Sequence, residues 1–407
     1  MPAFSYRAWP LAAALLAGLL GQSAHAQDST FARLSQRNQY TMTLSGTQFA
    51  GPGWDKLQQD IRQSQLVLLG EDHGTAQIPA FATALARELK PAVYVAEIDK
   101  YQAQDLSQLA SQPGLPTVFM KEHPMGLTFY SWAEEFELAR YLRGQHAAVL
   151  GIDQVSLVSS GRFFAMLAGK VKSPATKTYL LKRAATYQAQ DRAKMSKGTG
   201  NFSIYQRPAA LDSLRSLTRT ESPEVRQMVQ DFAASSGIYQ LAGQGDPRSH
   251  QLRINLMKRN LLEGLATYQR PGQPLPTMLF KFGATHVSRG VSLNGGVYDV
   301  GNLALNLADA HNQKSLHIYV IGQRGTRVQG FNPDDFSKNV AAYSNAEELQ
   351  PFAAPAGSTA WQVFDLRPLR RALRNNKLKV SSHEVEVTLM GYDYLIIIPE
   401  TTASHNY

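Results

Sequence analysis

The stretch Leu66-Val-Leu-Leu-Gly-Glu-Asp-His-Gly74 constrains this chain more than any other. Four apolar residues without alternation describe a strand buried on both faces, as inside a parallel sheet. Gly70 ends the run, and Glu71, Asp72 and His73 follow directly. In extended backbone Glu71 and His73 point to one side and Asp72 to the other. Ligands of open α/β sheets lie in the crevice beyond the carboxyl ends of the strands, where this strand delivers an acid and an imidazole. A plainer role fits the same residues: a loop histidine, with Asp72 or Thr75 capping a helix that starts near Ala76.

The pattern repeats downstream. Gln77 to Leu89 has helical spacing (Ile78, Phe81, Leu85, Leu89) and stops before Pro91; Ala92-Val-Tyr-Val-Ala-Glu97 is a second buried strand ending in an acid. Strand, helix and strand make a βαβ unit with parallel strands, so Glu97 belongs at the same sheet edge as Glu71 and His73. Residues 98–128 read as loop, with Pro113, Pro116 and Pro124. Phe129 to Arg143 reads as a helix closed by Gly144, and Ala147 to Asp153 as a third buried strand with a terminal acid. Upstream, Phe31 to Trp54 reads as a lead-in with a short edge element, and Trp54 to Arg62 as a helix feeding the first core strand.

Strand signals vanish over 155–265, which reads as a helical insertion covering the strand edge, broken near Gly198-Thr-Gly200 and Gly243–Pro247. A cap of this kind shapes a pocket and excludes water, although a purely structural subdomain has the same composition. Arg253, Met257 and Asn260 share one helical face there, which suits either a pocket wall or a solvated surface. Thr277-Met-Leu-Phe-Lys-Phe-Gly-Ala-Thr-His286 is a further strand that exits into a Gly and a His. Lys281 within it needs an acidic partner, a wet site or an edge position. Arg289 and Gly290 follow. Val297 to Asp309 gives a short strand and a helix, His317 to Ile321 and Tyr394 to Pro399 two more strands, and Pro351 to Thr359 a flexible linker. The expected fold class is α/β: a mostly parallel central sheet, helices on both faces, and a helical insertion over the carboxyl edge.

Residues 1–26 have the form of a secretory leader: Arg7, an apolar core from Leu11 to Leu20, and Ala24-His-Ala26 before the expected cleavage. That core is about half the roughly 20 residues of a membrane span. The expectation is therefore a mature domain over 27–407, periplasmic or secreted, without stable membrane insertion. The chain has no cysteine, which removes disulfides, thiol nucleophiles and a lipid-anchored cysteine together. The +9 charge is scattered, without a long basic run or interleaved aromatics. A nucleic-acid partner is accordingly not expected, and no partner protein is evident.

Together Gly70-Glu71-x-His73, Glu97, Gly151-Ile-Asp153, Lys281-Phe-Gly-Ala-Thr-His286-Val-Ser-Arg-Gly290 and Asp393-Tyr-Leu-Ile-Ile-Ile-Pro-Glu-Thr-Thr402 resemble the erythromycin esterase-like superfamily. That superfamily includes the ChaN haem-binding uptake proteins and the TIKI/TraB group of metalloprotease-like proteins. The resemblance runs from Leu66 to Thr402 and implies an α/β sheet, an added helical part and a pocket at the strand ends. It assigns Glu71, His73, Glu97 and His286 to the site. The two-residue spacing of Glu71 and His73 is nearer the ChaN and TIKI branches, whereas the string from Lys281 to Gly290 is nearer the erythromycin esterases.

With no Gly-x-Ser-x-Gly elbow and no cysteine, hydrolysis by direct attack of water is the expected chemistry. His73 takes the proton from water, Glu97 or Glu71 holds the imidazole or the water, and His286 polarises the carbonyl or protonates the leaving group. Asp153, Lys281, Arg253 and Arg289 are expected to contact a small-molecule substrate. This reading requires no cofactor. Two His and two Glu also suit a divalent metal, and a haem-binding protein of the ChaN type would use His73 or His286 as axial ligand.

Overall fold

The computed structural model describes residues 30–407 except 199, 271 and 346–351. The leader-like segment 1–26 lies outside the described residues. The strands are β1 Gln39–Ser45, β2 Gln48–Ala50, β3 Leu66–Glu71, β4 Val93–Asp99, β5 Ala148–Asp153, β6 Met278–Gly283, β7 Ser315–Gly322, β8 Arg324–Val328, β9 Val340–Ser344, β10 Trp361–Asp365 and β11 Tyr394–Ile398. Nine form one sheet in the order β2-β1-β10-β11-β7-β3-β6-β4-β5, and β8 and β9 form a separate antiparallel pair. From β11 to β5 every pairing is parallel; β10, β1 and β2 extend the sheet antiparallel.

The unbroken apolar run of β3 is explained by its two neighbours in depth. Val67 and Leu69 pack with Ile78, Phe81 and Leu85 on one face, and Leu66 and Leu68 with Met257, Leu261 and Phe280 on the other. Each such side chain, removed from water, contributes about 1.5–3 kcal/mol. Helices therefore cover both faces, among them Pro52–Arg62, Gln77–Leu89 and Ala133–Gly144 against the first and Arg248–Leu265 and Val300–Ala310 against the second. No helix among the described residues is long and apolar enough to cross a membrane.

β3 and β4 are parallel, but they are not neighbours: β6 lies between them, pairing Leu69 with Lys281 on one side and Ala96 with Lys281 on the other. The segment read as loop after β4 holds helices Lys100–Leu109 and Thr117–Glu122. The first starts because the Asp99 side chain accepts from the N–H groups of Tyr101 and Gln102. Its buried face includes Gln102 and Asp105, so apolar periodicity is weak. The helix expected from Phe129 begins with a 3₁₀ turn over Thr128–Ser131 and becomes α-helical at Ala133. Helix Gln77–Leu89 takes no side-chain cap from Asp72 or Thr75; Asp72 instead accepts from Tyr343 and Asn345. In the segment expected to be a linker, Phe352 and Ala354 are buried in the core.

Residues 155–265 are helical, as Ser160–Lys170, Pro174–Lys197, Pro208–Leu217, Pro223–Gly243 and Arg248–Leu265. Much of this segment packs around its own core of Phe163, Phe164, Leu180 and Phe232. Over the β3 exit lies the β8–β9 pair instead. Gly74 makes that possible: it sits at φ +86°, and a Cβ there would stand 2.4 Å from the Val328 carbonyl oxygen. The Gly74 carbonyl accepts from the N–H of Val328 at 2.9 Å, docking β8 against the turn.

Candidate active site

The exits of β3, β4 and β6 converge on one cavity of about 700 Å³, which Glu71, His73, Glu97, Arg253, Gly283 and His286 line together. As alternation requires, Glu71 and His73 share a side: His73 Nδ1 lies 2.9 Å from Glu71 Oε1. His73 Nε2 faces Glu97 Oε2 at 3.3 Å, and its ring stacks on Phe129 with centroids 3.8 Å apart. His286 mirrors this arrangement. Its Nδ1 is 2.8 Å from Asp299 Oδ2, and its Nε2 faces Glu97 Oε1 at 3.5 Å. Glu97 thus stands between two imidazoles, each held from behind by its own buried carboxylate. Arg253 Nη2 donates to Glu97 at 2.9 Å, and the Gly283 N–H donates to it at 2.6 Å.

Gly283 lies at the point of closest approach. A Cβ there would stand 3.0 Å from His73 Nε2 and 3.5 Å from Glu97 Oε2. Gly283→Ala is therefore expected to displace the imidazole and lower kcat by about tenfold, because catalysis is sensitive to sub-ångström placement. An unchanged kcat would show that His73 does not work from this position.

Charge distribution follows from burial and pairing. Burial alone pushes the His73 imidazole down, but the Glu97 carboxylate and the hydrogen bond to Glu71 outweigh it and raise its pKa to about 10. Burial pushes Glu97 up, and the facing His286 and His73 bring it well below the usual carboxylate range. His286 is raised as well: burial lowers it, while Glu97 and the hydrogen bond to Asp299 prevail. Glu71 is lowered against its burial, chiefly by Lys281. Glu135, buried beside the same ammonium and close to Glu71, is pushed up to about 7.

Three residues expected to touch substrate stand elsewhere. Lys281 is buried between Glu71 and Glu135, 2.6 Å from the latter, and does not line the cavity. An ammonium inside the sheet must be neutralised where it lies, and two glutamates do so. Arg289 turns away from the cavity to pair with Asp393 at 2.6 Å, a carboxylate it shares with Arg370. Asp153 sits behind Arg253, holding it at 2.6 and 2.9 Å. Of the predicted helical cap, Arg253 alone is among the described lining residues, and Asn260 donates to the Ile152 carbonyl. Much of the remaining wall comes from Phe129, Trp132, Leu293, Asn294 and residues 327–331.

Sequence reasoning missed Asp299, Glu135, Phe129 and Arg327. Asp299 caps helix Val300–Ala310 and Glu135 lies in the first turn of its helix, places where an acid is ordinarily explained by helix termini alone. Among the described residues no group of three or more His, Cys, Asp or Glu is placed to hold a metal ion. The donors also fit a cation poorly. His73 presents both nitrogens to carboxylates, and Glu97 already receives a guanidinium and a backbone N–H.

No family model matches the sequence, and no curated protein matches it. Solved structures do match. A succinoglycan biosynthesis protein superimposes with TM-score 0.58 at 14% identity, over 94% of this chain and 99% of that one. A Bacillus cereus protein gives 0.54 at 14% identity, over 93% and 99%. A variant of the erythromycin esterase EreC, in its open conformation, gives 0.56 at 13% identity, over 90% and 98%. At this level of identity the likeness is one of fold, and over nine-tenths of its length the chain has the α/β fold of erythromycin esterase.

Proposed function

We propose that the protein is an exported hydrolase that cleaves an ester or lactone with water activated at His73. Export rests on the leader-like residues 1–26, and the reaction class on the site and on the fold shared with an esterase. One observation carries the chemistry: two imidazoles, each oriented at Nδ1 by a buried carboxylate, turn their Nε2 atoms toward the one glutamate between them. Neutral His73 keeps its proton on Nδ1 toward Glu71, and its Nε2, which has no proton to give Glu97, takes one from water as the oxygen attacks the carbonyl carbon. Glu71 and Glu97 stabilise the imidazolium formed. Protonated His286 hydrogen-bonds the carbonyl oxygen and gives its proton to the departing alkoxide. Glu97, between the rings, returns the proton from His73 to His286 and closes the cycle.

This mechanism has a pH signature. In the empty cavity His73 is an imidazolium up to about pH 10, so its base form grows as pH rises. kcat/KM, which reports the free enzyme, should climb up to about tenfold per unit between about pH 6 and 8, and fall only where His286 loses its proton. Glu97→Gln removes the charge that does most to raise His73, so the rising limb of this weaker variant should move to lower pH. Stopped-flow hydrolysis of para-nitrophenyl esters measures both; a wild-type rate that falls from pH 6 to 8 contradicts His73 as base.

A further inference from the structure

Two arginines line the cavity, and their charges are treated differently. Arg253 is locked between Glu97 and Asp153. Arg327, on β8, is held chiefly by neutral groups. Its guanidinium lies 4.6 Å from the Tyr343 ring centroid, and its Nε and Nη2 face the Gln329 amide, donating to the side-chain oxygen at 2.7 Å once that amide is assigned with its oxygen toward them. The nearest carboxylate among the described residues, Asp72, is 4.0 Å away and already receives the Tyr343 hydroxyl and the Asn345 amide. A guanidinium fixed by a ring and an amide oxygen is pre-organised for an anion, because little side-chain freedom remains to be lost on binding. Arg327 lines the same cavity as His73 and Glu97. Phe331 and Val328, from the same hairpin, supply apolar wall next to it.

We infer that the substrate is an ester bearing a second, anionic group, a carboxylate or a phosphate, and that Arg327, in the same cavity as His73, selects for it. This rests on the hydrolase reading above. Arg327 is a binding residue here and takes no part in proton transfer.

The test compares two esters that share a leaving group: para-nitrophenyl benzoate and its para-carboxylate derivative, whose rigid acid cannot reach its own ester. Wild type should favour the anionic ester in kcat/KM by about tenfold to a hundredfold, the range of one charge-assisted hydrogen bond. The difference should reside mainly in KM. Arg327→Gln should lose most of that preference, Arg327→Lys should keep part of it, and Arg327→Glu should invert it. A wild type that takes both esters equally, or an Arg327→Gln variant that loses the same factor on both, overturns the inference and leaves the hydrolase reading standing. Folded wild type that cleaves neither ester overturns the hydrolase reading, and the inference with it.

Discussion

Replacing His73 with alanine is expected to cut ester hydrolysis by about 10²–10⁴, the contribution usual for a general base, while the protein stays folded. The fold survives because the carboxylates left behind keep other partners. Glu71 retains Lys281, and Glu97 retains Arg253, the Gly283 N–H and His286. His73 is also about a quarter exposed in the cavity, so its removal opens no closed core void. His286→Ala should lose a comparable factor. The double variant should lose far less than the product of the two, since the rings act through one glutamate. Circular dichroism and thermal melting of each variant keep the kinetic result separate from unfolding. A folded His73→Ala protein with an unchanged rate would remove this residue from the mechanism.

The largest effect on stability is expected at Lys281. Its ammonium joins Glu71 and Glu135 with all three side chains about 2% exposed. Lys281→Met preserves most of the volume but leaves two buried carboxylates facing each other, Glu71 on β3 and Glu135 on helix Ala133–Gly144. Removing one partner of such a group costs about 3–5 kcal/mol, more than replacing the whole group with apolar residues. One oxygen of each glutamate already lacks a hydrogen-bond partner among the described residues, and without Lys281 Glu71 keeps only His73. Adding Glu135→Leu to Lys281→Met should recover part of the loss, because a single buried carboxylate then remains, beside His73. Urea denaturation measures both variants. Equal stability of Lys281→Met and wild type would mean that the glutamates are neutralised some other way.

Much of the sheet was legible because a strand buried on both faces has little freedom of composition. β3 and β4 carry apolar residues on consecutive positions and release an acid where the sheet ends; β5, expected to be buried in the same way, is the edge strand and only half-buried over Ala148–Leu150. The alternation that puts Glu71 and His73 on one side needs no tertiary information, and the structure has it. Strand order did not show. That β6 slips between β3 and β4 depends on contacts across about half the chain, which no local pattern encodes. The antiparallel extension through β10 and β1 is hidden in the same way. At the site, the residues that leave strands were found; of those that hold them, Lys281 and Arg253 were named only as substrate contacts, and Asp299 and Glu135 not at all. Asp299 and Glu135 sit in helix termini, where an acid already has an ordinary explanation. Arg327 lies on a five-residue strand whose pairing with β9 crosses a turn rich in polar residues. Lys281 was recognised as needing a partner, but a buried ammonium and a substrate-facing one look alike until the acid beside it is known.

Whether water itself attacks the carbonyl can be read from a single turnover in heavy-oxygen water, with enzyme in excess over a para-nitrophenyl ester. Direct attack at the His73 cavity predicts that every acid molecule released in that first turnover carries one heavy oxygen, and that no enzyme carboxylate gains any. Unlabelled acid from the first turnover, with the heavy oxygen found by mass spectrometry on Glu71 or Glu97, would contradict the account, because that outcome requires a glutamate to have attacked in place of water.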